Sequence, residues 1–214
     1  MTVGHVNIGC TVMSHEKTSK RKYRLKKRAD TMADTRQRIA AAAVELHGTV
    51  GPARTTLSAV AERAGVQRHT LYRHFPTEAD LFGACSAHFF TKHPLPDIEP
   101  WRNVSDPRLR LQQALDELYI YYESTAQMFS NVLRDAELVE DLRPTLAPMQ
   151  EYLDGVTQIL ATGWAAKGRR RVLLAAAMGH AIEFQAWKSL TQDSRITRAE
   201  AIELVTGLVE TSVG

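Results

Sequence analysis

Hydrophobic positions recur at intervals of three and four residues along most of the chain, and the interruptions divide it into helices. Ile39, Ala42, Ala43 and Leu46 form one apolar stripe and predict a helix over about 34–48, ended by Gly48 and Gly51-Pro52. Leu57, Val60, Ala61 and Ala64 predict a second over about 57–64, with Thr56 as its N-cap and Gly65 just past its end. Leu71 and Phe75 anchor a third over about 68–75. A fourth begins near Thr77, whose spacing to Asp80 suits a capping box, and turns Leu81, Phe82, Cys85 and Phe89 inward as far as His93-Pro94. Four prolines between 93 and 107 predict a connection without helix.

Asp106-Pro107 opens the next helix, whose stripe Leu111, Leu115, Leu118 and Tyr122 runs to about 124; a separate helix is expected over about 125–135. Pro144 and Pro148 bracket the start of another, with Met149, Tyr152, Leu153, Val156, Ile159 and Leu160 on one side and Gly168 as its stop. Residues 170–190 read as one long helix, apolar almost all round, which needs cover on every face. Thr197 and Glu200 form a capping box for a last helix carrying Ile202, Val205, Leu208 and Val209. No segment reads as a strand, so the fold class is all-α.

Only two or three residues, one of them a glycine, separate the second and third helices, which is the connection of a helix-turn-helix. In that motif the first helix braces the second in the major groove, and the second must expose polar side chains to bases and phosphates. Gln67, Arg68, His69, Thr70, Tyr72, Arg73 and His74 all donate or accept hydrogen bonds, while Leu71 and Phe75 face inward. Any amphipathic helix divides its faces this way, so the pattern alone leaves the motif open.

Charge adds a little. Residues 1–75 carry 14 Lys and Arg against 5 Asp and Glu, while residues 76–214 carry 13 against 19. A basic front on an acidic body suits a polyanionic partner. Eight of the 14 lie between Lys17 and Arg28, a run expected to be disordered by self-repulsion. It is either a DNA-binding arm or a segment upstream of a natural start at Met32. Without it, residues 32–75 hold six positive and three negative charges, so the case for DNA rests on the motif.

The stretch from Thr56 to Phe82 resembles the TetR family of transcriptional regulators through Thr56, Val60-Ala61, Ala64-Gly65-Val66, Thr70-Leu71-Tyr72, His74-Phe75-Pro76 and Leu81. With the first helix, the resemblance covers about residues 34–82. It implies a three-helix DNA-binding domain over 32–78, behind a basic extension at 1–31, and a helical effector-binding and dimerisation domain over 79–214. It also implies that Thr56, Thr70, Tyr72 and His74 contact phosphates, and that Arg68, His69 and Arg73 face bases, Arg68 being suited to a bidentate contact with guanine. Two positions depart from the family pattern. Glu78 stands where a phosphate-reaching lysine is usual, and Gln67 is a weaker cap than the usual Ser or Thr.

The same resemblance implies a homodimer on a palindromic operator, acting as a repressor released by a small-molecule effector. Candidate pocket residues are Tyr119, Tyr122, Met128, Phe129, Tyr152, Trp164, Phe184 and Trp187, together with His180 and Glu183. The last two, one turn apart, either hold a cationic or hydroxylated ligand or form a polar pair in an interface. Ala175, Ala176, Ala177, Gly179 and Ala181 permit close helix approach, and the 170–190 helix is expected to pair with the last helix and their twins in a second subunit. The fourth helix is expected to couple sensor to reader.

Other classes find less support. There is no Gly-rich phosphate loop, metal-ligand cluster or nucleophile motif, so no enzyme, cofactor or metal is expected. Cys10 and Cys85 give no disulfide framework, and a cytoplasmic protein is expected. The most apolar stretch, Val172 to Ile182, is too short to span a membrane. A basic-tailed binder without sequence preference stays open as the rival.

Overall fold

The computed structural model describes residues 12–212, with side chains at 22, 23 and 25–212. The chain order is α1 (Val12–Thr49), a 3₁₀ turn (Pro52–Arg54), α2 (Leu57–Arg63), α3 (Arg68–His74), α4 (Glu78–Lys92), α5 (Glu99–Arg102), α6 (Pro107–Asp135), a 3₁₀ segment (Glu140–Leu146), α7 (Ala147–Leu160), α8 (Arg169–Ala181), α9 (Phe184–Lys188), a π turn (Ser189–Asp193) and α10 (Arg198–Thr211). The described residues are all-α, as the periodicity predicts.

Two cores organise these helices. The first joins α1, α2, α3 and α4 through Ile39, Ala43, Val60, Leu71, Phe75 and Leu81. The second packs α6, α7, α8, α9 and α10 around Leu111, Leu115, Leu118, Tyr122, Leu160 and Trp187. A small third cluster of Phe82, Ala136 and Leu142 bridges α4 to the end of α6 and the 3₁₀ segment after it.

Several predicted boundaries move. Helix α1 starts at Val12 rather than near 34, so the basic segment expected to be disordered is helical from residue 12. Lys, Arg, Leu and Ala are good helix formers, and the segment continues a helix already nucleated by the core. Residues 1–11, Cys10 among them, and the side chains of Lys17, Lys20, Arg21 and Arg24 lie outside the described residues.

The proline-rich connection contains the short helix α5, because Pro100 falls in its first turn, where its missing N–H costs nothing; Trp101 is wholly buried there. Helix α6 runs unbroken where two helices were expected. Ser124 and Thr125 do not cap a new helix; their hydroxyls donate back to the Tyr121 carbonyl within the same one.

The long helix expected over 170–190 breaks between α8 and α9. The hydroxyls of Tyr119 and Tyr122 donate to the carbonyls of Ala181 and Ile182 at 3.0 and 2.7 Å. Those carbonyls would otherwise accept the next turn's N–H groups, and Glu183 is extended instead (φ −72°, ψ 145°).

The two cores meet where α1 ends. Asn131 of α6 donates to the carbonyls of His47 and Gly48 at 2.9 and 3.1 Å, and Asp135 accepts the Ala53 N–H at 2.9 Å. Gly51 is buried in this junction with φ +93°, and a Cβ there would stand 2.5 Å from Asp135 Oδ2 and against the Arg134 guanidinium. Gly51→Ala is therefore expected to cost at least about 2 kcal/mol, from backbone strain and displaced polar groups. Denaturant unfolding of the two proteins checks this.

Candidate nucleic-acid interface and cavity

Helix α2 begins with the Thr56 side chain accepting the Ala59 N–H at 3.1 Å. It ends in a Schellman motif: Gly65 (φ +65°) donates to Glu62, and Val66 donates to Ala61 at 2.9 Å. That left-handed residue turns the chain sharply into α3. Leu71 and Phe75 are 0% and 1% exposed, which seats α3 on the first core.

Arginines of α1 clamp the pair of helices. Arg38 donates to the Ala64 carbonyl at 3.0 Å, while Arg36 donates to the His74 carbonyl and lies over the Phe75 ring at 4.1 Å. Arg63 is paired with Glu45. Much of the positive charge outside the basic run thus braces the motif. Sequence reasoning missed this role, because the partners of Arg36 and Arg38 are carbonyls more than 20 residues away and that of Arg63 lies on another helix.

Of the predicted contact residues, Thr56, Gln67, Arg68, His69, Tyr72 and Arg73 are exposed and Thr70 is half-buried. Arg68 donates to the Tyr72 hydroxyl at 3.0 Å, so the two side chains stand together on the outer face of α3. Gln67 makes no side-chain cap bond. The expected exposure of His74 is overturned: it is 8% exposed. Three residues after Leu71, it lies on the inward face of the helix. Burial, helped by Arg73 and Arg36, holds its pKa below the ordinary value, which favours a neutral ring.

A cavity of about 420 Å³ opens between the two cores. Tyr122, Met128, Phe129, Glu183 and Phe184 line it, as the sequence suggests. Five other candidates are not on its wall. Tyr119 is buried with its hydroxyl on Ala181, and Trp187 is fully buried in the second core. Tyr152 donates to Pro96 and Trp164 to Leu160. His180 is exposed and borders a smaller groove of about 210 Å³ between α8 and α10. Part of the unforeseen lining comes from α1 and α4, with His47, Phe82, Cys85 and Phe89, and part from the 3₁₀ segment and α7, with Leu142, Leu146, Met149 and Leu153. Phe82, Cys85 and Phe89 had been read only as the inner side of the fourth helix, and His47 had not been singled out.

An exposed second helix of a helix-turn-helix, braced by its neighbour and clamped from behind, defines the class: a DNA-binding protein. Residues 39–85 match the profile of the "Bacterial regulatory proteins, tetR family", so the segment that holds the helix-turn-helix is a DNA-binding domain of that type. Over about 85% of the chain the fold is similar to those of several solved structures, two of which illustrate the match. NalD, the secondary repressor of the MexAB-OprM multidrug efflux pump in Pseudomonas aeruginosa, shares 21% identity at a TM-score of 0.62, covering 86% of this chain and 98% of its own. A TetR transcription regulator from Haloarcula marismortui shares 16% at 0.54, covering 85% and 97%. No curated protein matches the chain. Among the described residues, no helix is long and apolar enough to cross a membrane.

His47 sits between reader and cavity, 3% exposed, with its Nδ1 3.3 Å from Cys85 Sγ. Burial pulls its pKa down to about 4, against a raising influence from Asp135. The folded protein therefore binds fewer protons than the unfolded chain between pH 4 and 6.5. Stability present above pH 6.5 is lost as the pH falls through that window, by about 3 kcal/mol at most for this one group. His74 acts in the same direction. Thermal unfolding from pH 7 to 4 should show the loss, and His47→Asn should flatten the larger part of it.

Proposed function

We propose that this regulator is a cytoplasmic homodimeric repressor that leaves a palindromic operator when a small molecule occupies the cavity between its two cores. The observation that carries the DNA-reading part is the outer face of α3, where Arg68, His69, Tyr72 and Arg73 are exposed on a helix immobilised by Leu71 and Phe75. In this reading Arg68, His69 and Arg73 face base edges. Thr56, Thr70 and Tyr72 contact phosphates, and exposed Gln67 stands at the start of the reading helix. Buried His74 would act by holding α3 in place.

Dimerisation is supported by apolar side chains that the single chain leaves uncovered. Val172 and Leu173 of α8 are 56% and 44% exposed, and Leu204 and Leu208 of α10 are 47% and 60% exposed. A second copy laid across both helices would bury them, and a palindrome read by such a dimer requires its two reading helices about one duplex turn, roughly 34 Å, apart. His180, exposed beside Leu208 at the groove, then falls at the subunit interface and not in the effector site.

Coupling would run through more than α4. The cavity touches α4 at Phe82 and Phe89 and α6 at Met128, Phe129 and Val132. One face away on α6, Asn131 and Asp135 hold the end of α1 and the turn after it. An occupant that displaces α4 and α6 moves the helices that carry the reader, and so shifts the population between groove-matching and mismatched spacings.

Selection of bound duplexes from random DNA tests this reading. A palindromic consensus bound by a dimer is the expected result, and binding without sequence preference would favour the basic-tailed rival. Arg68→Ala should weaken operator binding by about 1–3 kcal/mol and relax one base position per half-site. Repeating the selection with the variant checks this, and an unchanged consensus would remove Arg68 from the base-reading set.

A further inference from the structure

The chemistry of the cavity wall narrows what can occupy it; this inference rests on reading the cavity as the effector site. The wall is largely aromatic. Phe129 and Phe184 stack with ring centroids 5.4 Å apart, and Tyr122 meets Phe184 edge-on at 5.5 Å. Phe89 meets Phe129 edge-on at 6.3 Å. These rings offer large apolar area and electron-rich faces.

Charge on the wall is one-sided. Glu137 and Glu183 line the cavity, both on exposed positions, and no Lys or Arg is among the lining residues. The other titratable groups in the wall stay uncharged near neutrality: burial holds His47 at about 4 and the Cys85 thiol at about 12, and pushes the Tyr122 hydroxyl further above its ordinary value. Outside the wall, His180 approaches Glu183 at 3.8 Å, but it is itself well exposed to solvent.

An anion entering this space would be desolvated against two carboxylates with no cation to receive it. A neutral apolar molecule would fill the aromatic part and leave the carboxylates unused. A cation with an apolar body uses both, through aromatic faces toward the charge and the solvent-exposed carboxylates that border the cavity. We propose that the cavity selects a compact apolar monocation, such as an aromatic or quaternary onium compound, over an anion of the same shape.

Tetraphenylphosphonium and tetraphenylborate test this, since they share shape and bulk and differ in the sign of their charge. Calorimetric titration of each into the full-length protein should show the phosphonium binding about tenfold or more tightly than the borate. The double variant Glu137→Gln, Glu183→Gln changes only exposed side chains. It should cut phosphonium affinity about tenfold and leave the borate no weaker.

Equal or reversed preference, or binding of neither probe, would overturn the proposal. A phosphonium preference that the double variant leaves intact would overturn it too, because the carboxylates would then not be its source. Retention of selected operator DNA is measured alongside. Phosphonium binding that leaves DNA bound would count against the cavity as a sensor while keeping its ligand class. DNA release by the borate alone would keep the sensor and reject the cation.

Discussion

A helix that stops inside a protein leaves its last carbonyls without intrahelical partners, and the way α1 meets this constraint governs the rest of the molecule. At its C-terminal end, two carbonyls are taken by one amide, that of Asn131, and the turn that follows is held by the Asp135 carboxylate. Arg134 in turn pairs with Asp135 at 2.7 Å, and Gly51 leaves the space that these groups fill. The DNA-reading unit is thereby attached to the sensor half by directional hydrogen bonds as well as by apolar contact. Hydrogen bonds of this kind tolerate few alternative geometries, so in the proposed mechanism a displacement of α6 would be transmitted to α1.

The position of the cavity follows from the same junction. It lies where the two cores fail to merge, with the end of α1 and one face of α4 on one side and α6, α7 and the start of α9 on the other. The break after α8 helps create it. Tyr119 and Tyr122 take the carbonyls that would have carried that helix onward, and the extended Glu183 redirects the chain so that Phe184 meets Phe129. A single aromatic cluster thus ends a helix, closes the second core and furnishes a wall of the proposed effector site.

Most of the reading domain was legible in the sequence. Thr56, Gly65 and the Leu71–Phe75 pair act over four or five residues, and each does in the structure what local geometry demands: cap, reversal and anchor. The capping boxes at Thr77 and Thr197 are present for the same reason. His74 was misjudged because one inward face of a short helix has room for a third residue, and chemistry alone does not tell a buried ring from an exposed one. The cavity was half legible. Tyr122, Met128, Phe129 and Phe184 of α6 and α9 were foreseen, whereas the residues from α1, α4, the 3₁₀ segment and α7 were not, since apolar side chains there have an equally good claim to ordinary packing.

By itself, then, the sequence determined the capped helix starts at Thr56, Thr77, Asp106 and Thr197, the reversal between α2 and α3 and the polar outer face of α3, because these depend on backbone groups and side chains within one or two turns of one another. Tertiary structure decided where α8 stops, which arginines clamp the motif and which side chains enclose empty space. Those outcomes turn on partners far apart in the chain: Tyr122 with Ile182, Arg38 with Ala64, Asn131 with His47. A carbonyl or an aromatic face carries no local mark of which distant group will reach it, and only folding brings the pair together.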